Sequence, residues 1–149
     1  MNLQTLKDTF KQVSLAHVDI NEFNYGETFD LPNGGNNVYP FSFLEIPYSL
    51  NYDQRRSKSI QFALNILIKT DPDDRKEDHQ AISDAEQIGE AIIARVQTEN
   101  KDLFFETITS LSLREFSDDD LAGMRFEFII RTGRDYCNAD SYADKFEDC

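Results

Sequence analysis

Leu3, Leu6, Phe10, Val13 and His17 recur at spacings of three and four, the period of one helix face, while Lys7, Asp8, Lys11 and Gln12 turn away. This predicts an N-terminal helix packed on a sheet. His17 ends the stripe, where a cation complements the helix dipole, so it reads as a helix C-terminal partner rather than a ligand. From Phe23 the period drops to two: Phe23, Tyr25, Phe29 and Leu31 share one face, Asn24, Gly26, Thr28 and Asp30 the other. Pro32-Asn33-Gly34-Gly35-Asn36-Asn37 follows, and Asn-Gly is a strong hairpin signal. Val38 to Ile46 then predicts a strand buried on both sides, with Phe41, Phe43, Leu44 and Ile46. Pro40 cannot donate to a ladder and belongs at an edge or at the strand's start, and Pro47 is expected to end it.

After a polar connection through Tyr52 to Arg56, Ile60, Phe62, Leu64, Ile66 and Ile68 alternate with polar or small residues. A strand from Ser57 to Thr70 would span about 45 Å at ~3.3 Å per residue, far more than the usual strand. It is expected to bend, or to project toward another molecule. The charged run Asp71 to His79 leads to a helix with Ile82, Ala85, Gly89, Ile92, Ile93 and Val96 on one face. Ser83 and Glu86 have capping-box spacing, although Ile82 allows a start one turn earlier. Two more strands follow. Glu106 to Phe116 sets Thr107, Thr109, Leu111 and Leu113 against Ile108, Ser110, Ser112 and Arg114, and the last places Met124, Phe126, Phe128 and Ile130 inward. The order α-β-β-β-α-β-β predicts an α+β fold: a mainly antiparallel sheet of about five strands with two helices packed on it. Residues 1–132 read as one domain and 133–149, with five acids, as a loosely held tail.

Charge narrows the function. Against 15 Lys and Arg stand 28 Asp and Glu, a formal net charge of -13, which opposes any grip on nucleic acid or an anionic membrane. No run approaches the ~20 apolar residues of a membrane span. The start has no basic region followed by an apolar run, so no signal peptide is expected and the protein is expected to be made in the cytoplasm with Cys137 and Cys149 reduced.

Catalytic signatures are missing from the sequence. It has no Gly-x-Ser-x-Gly elbow, no Walker-type phosphate loop and no dinucleotide glycine triplet. Gly34-Gly35 lies between strands instead of opening a helix, and His79 has no Cys close in sequence. Neither an enzyme nor a cofactor is expected. Two histidines and two distant cysteines make no zinc set. An EF-hand loop begun at Asp71 would have Lys76 at its sixth place and Ile82 at its twelfth, so that motif fails too. The acids Asp71, Asp73 and Asp74, and Asp118, Asp119 and Asp120, read individually as solvated turns. Collectively they allow another role, because carboxylates lining a channel repel DNA phosphates and prevent adsorption.

Three stretches bring these features together: Val38-Tyr39-Pro40-Phe41-Ser42-Phe43-Leu44-Glu45, the strand Ile60 to Ile68 leading to Asp71–Asp74, and Ser117-Asp118-Asp119-Asp120-Leu121-Ala122-Gly123-Met124-Arg125-Phe126. With the order of elements, they give a chain that resembles the tail terminator, or tail-completion, proteins of long-tailed bacteriophages over residues 3 to 132. The resemblance implies a virion structural protein that forms a six-membered ring, caps the tail tube and joins it to the head connector. The implied partners are other copies of the chain, the tail-tube protein and the head–tail connector proteins, with DNA passing unbound. Asp71, Asp73, Asp74, Asp118, Asp119 and Asp120 would face the channel or the next ring, and Arg55 and Arg56 would pair with acids across a subunit boundary. The rival reading is an acidic immunity or inhibitor protein steered to a basic toxin or nuclease.

Overall fold

The computed structural model describes residues 3–27, 38–52, 57–70, 75–116 and 121–133. Their order is α1 (Leu3–Ala16), β1 (Glu22–Gly26), β2 (Phe41–Tyr52), β3 (Ser57–Lys69), α2 (Arg75–Glu99), β4 (Phe104–Phe116) and β5 (Leu121–Gly133). The fold is α+β, with both helices on one face of a mixed sheet ordered β1-β2-β3-β5-β4. Among the described residues every pairing is antiparallel except that of β1 with β2.

Periodicity explains the layers. On β3 and β5 the even positions Ile60, Phe62, Leu64, Ile66, Met124, Phe126, Phe128 and Ile130 meet Leu6, Phe10 and Val13 of α1 and Ala85, Ile88, Ile92 and Val96 of α2. Phe128 is the hub of this core, with ring centroids 5.3 Å from Phe62, 6.0 Å from Phe10 and 5.8 Å from Phe105. Burying a ring of this kind removes roughly 150–250 Å² from water, the main drive for the helices to cover the sheet. A buried hydroxyl pair, Ser14 Oγ and Ser42 Oγ at 3.0 Å, ties α1 to β2.

Several expectations change. The Asn33-Gly34 hairpin does not join β1 to β2, because these strands run parallel and a tight turn cannot connect parallel neighbours; residues 28–37 lie outside the described residues. Pro47 does not end β2. The register slips between Glu45 and Ser49, and the bulge absorbs a residue that has no N–H to give. Pro40 stands just before the strand, as a residue without a donor should. The helix α2 begins at Arg75, two turns before Ser83, so the capping box is not its start; Glu77 and Asp78 supply the acids of its first turn. His17 stands beyond α1, where its N–H donates to the Ser14 carbonyl at 3.1 Å. Its Nδ1 accepts from the Asp19 N–H at 3.1 Å, so the ring holds the turn that follows the helix.

The long strand β3 neither projects nor overhangs. Each residue from Ser57 to Lys69 pairs with one from Gly133 to Leu121, and β4 and β5 are also 13 residues long. Its length is satisfied inside the molecule and gives no reason of its own for a partner.

Candidate interaction surfaces

The residues singled out by sequence, Asp71, Asp73, Asp74, Asp118, Asp119, Asp120, Arg55 and Arg56, lie outside the described residues. The ladder fixes where their segments attach. Lys69 pairs with Leu121, so segments 71–74 and 117–120 attach at the same end of the β3–β5 pair. Tyr52 pairs with Lys58, and Ser57 with Gly133, so segment 53–56 attaches at the other end. His79 is exposed on α2, and Cys137 lies outside the described residues.

The sheet face turned away from the helices divides into two zones. Phe41, Phe43, Leu67 and Leu121 form a buried apolar cluster with Tyr39 and Leu113 at its margin. Beside it a polar set runs across three strands. Arg125 donates to Glu45 through Nη2 at 2.8 Å and Nε at 2.9 Å, and to Glu127 through Nη1 at 2.9 Å. Gln61 Nε2 donates to Glu127 at 2.8 Å. Register explains the meeting: Glu45 pairs with Ala63, which pairs with Glu127, and Arg125 lies two residues along β5 on the same face. Burial opposes the Arg125 cation, but the bonds to Glu45 and Glu127 together outweigh it and raise its pKa. The bond from Arg125, then that from Gln61, holds the Glu127 carboxyl below its ordinary value. These groups satisfy one another, as an orienting brace does.

The β4 side of the sheet differs. Among the described residues β4 has a partner strand on one side only, and α2 lies over β3 and β5 while barely reaching it. Phe104 is 66% exposed, Leu111 60% and Ile108 44%, and residues 106–112 are exposed on both faces. Tyr25 and Val38 are exposed at the β1 end, while exposed Val18 stands beside α2, Leu15 on α1 and Tyr52 at the end of β2. The signal for β4 was present in the sequence: Thr-Ile-Thr-Ser-Leu-Ser-Leu at 107–113 has small hydroxyl residues where a covered strand needs bulk. The polar brace had no such signal, since its members come from three strands far apart in the chain.

An open recess of about 720 Å³ lies between the end of α1 and the middle of α2, with His17, Asp19, Asn21, Asp84 and Gln87 in its walls. Among the described residues, no three His, Cys, Asp or Glu side chains converge to hold a metal ion. No protein-family model matches the sequence, and no curated protein shows a significant similarity to it.

Proposed function

We propose that this chain is a virion structural subunit, a tail terminator whose copies close into a ring, most simply a hexamer, that caps the tail tube and joins it to the head connector. One observation carries this reading: apart from Leu15, Val18 and Tyr52, the exposed large apolar side chains sit at opposite ends of the sheet. Tyr25 and Val38 are at the β1 end, and Phe104, Ile108 and Leu111 are at the β4 end. Two unlike patches on opposite sides favour head-to-tail contacts, which generate rings when the rotation closes.

Charge supports the same reading. At -13 the chain repels DNA, and α2 carries the exposed acids Glu77, Asp84, Glu86 and Glu90. DNA would therefore traverse such a ring without adsorbing. The shared attachment of segments 71–74 and 117–120 suits one acidic surface facing the channel or the next ring. Segment 53–56, with Arg55 and Arg56, attaches far from them and suits a contact with acids of another copy.

Sedimentation and scattering across a concentration series test this, followed by imaging of the largest species. The expected result is a closed particle several times the 17.2 kDa chain mass with a central opening. A chain that never exceeds two copies, and that captures a basic toxin or nuclease in a salt-sensitive manner, would replace the ring with the inhibitor reading.

A further inference from the structure

We propose that two free copies of the chain pair antiparallel along β4, about a two-fold axis at Ser110. The regular part of β4 is short and well bounded. Thr107 to Leu113 pair one for one with Ile129 to Gly123, and register shifts interrupt the ladder on both sides, between Phe105 and Thr107 and between Leu113 and Phe116. The centre of that stretch is Ser110. Its seven residues carry no charge, no proline and no glycine in a chain that is otherwise dense in acids. Edge strands normally carry such devices to prevent pairing, and an uncharged segment of this length with high β-propensity is the pattern that pairs.

The flanking charges identify the occupant as a second copy and set the direction. Just beyond the regular stretch, an antiparallel pair centred on Ser110 brings Glu106 of each copy to the same end as position 114 of the other, which is an arginine. A parallel pair in register would set acid on acid and base on base. Glu106 already accepts from Arg131 Nε through Oε1 at 2.7 Å, and its second oxygen has capacity for another donor. Within the regular stretch, Thr109 would stand opposite Leu111, and Thr107 opposite Leu113, covering part of the apolar surface that β4 exposes. This contact does not rest on the ring. It is two-fold, closes on two copies and competes with a head-to-tail contact for the same strand, so it is a form of the unassembled subunit.

The test uses the full chain with Cys137→Ser and Cys149→Ser, adding either Ser110→Cys or Thr107→Cys, oxidised under native conditions. Residues directly opposite in an antiparallel pair are about 4.5–5.5 Å apart, within disulfide reach, whereas position 107 would lie about 20 Å from its own copy. The expected result is a covalent dimer from Ser110→Cys at least tenfold faster than from Thr107→Cys. Equal rates, or no link at position 110, would overturn the pairing. Thr109→Lys, at an exposed position, is expected to convert a two-copy species to one copy with an unchanged melting temperature; retention of the two-copy species would also overturn it. The two proposals fail separately. A larger ring without a link at 110 ends the pairing and leaves the ring, and a linked pair with no larger species does the reverse.

Discussion

Gly123 shows how tightly individual positions are held. A Cβ added there would lie 1.8 Å from the Ile66 carbonyl oxygen, a backbone atom in the middle of the sheet that cannot step aside. Gly123→Ala is therefore expected to cost at least the ~1–3 kcal/mol typical of overpacking, read as a lower urea midpoint. At Gly89 the obstacle is the Phe126 ring, 2.0 Å from the added atom, and that ring is itself buried against Phe128. The Arg125–Glu127 contact makes a different kind of prediction. Because hydrogen bonds from Arg125 and Gln61 lower the Glu127 pKa, its contribution to stability is present above the ordinary value of 4.5 and is lost as pH falls through the folded-state value. The stability gap between wild type and Glu127→Gln should be full at neutral pH and close below 4.5. Its size should stay under about 1 kcal/mol, as for an exposed ion pair. A gap independent of pH would show that the ion pair contributes nothing.

Among the elements, α2 and the β3–β5 pair form the framework. Phe128 stands where α1, β3, β4 and β5 meet, so Phe128→Ala should cost about 3–5 kcal/mol, or roughly 10–16 °C in melting temperature. Phe62→Ala and Phe126→Ala belong to the same packed set and should lose similar amounts. Ser83 separates the capping-box reading from the observed helix. As a cap, its replacement by alanine would cost about 1 kcal/mol; inside α2, Ser83→Ala should be neutral or slightly stabilising in thermal melts. The strand β2 illustrates how tertiary pairing uses a residue that local rules treat as a stop. With β3 continuing on one side, a bulge at Pro47 costs less than abandoning the remaining ladder to Tyr52.

At the scale of the whole molecule, charge and unfinished surface act in opposite directions. A net charge of -13 keeps free copies apart at low salt, while exposed Phe104, Ile108 and Leu111 favour contact. Replacing Asp118, Asp119 and Asp120 together by Asn should leave the melting temperature of the single chain almost unchanged. Under the proposed ring function, the effect should appear in assembly or in DNA passage, read from particle yield and DNA retention. A large loss of single-chain stability would mark the segment as a structural turn instead.

What the sequence determined by itself was periodicity: the inward faces of β3, β5 and α1, the α+β class and the order of the elements. A period of two or 3.6 is a local property, and each long element advertises its buried side. It also determined the charge, which opposes a tight hold on nucleic acid. Only the tertiary structure decided that β1 lies parallel to β2, that β3 is matched to its full length by β5, that Pro47 sits inside a strand, and that Arg125 reaches Glu45. These depend on which strands become neighbours and in what register, and register is a relation between distant segments that no single stretch of chain contains.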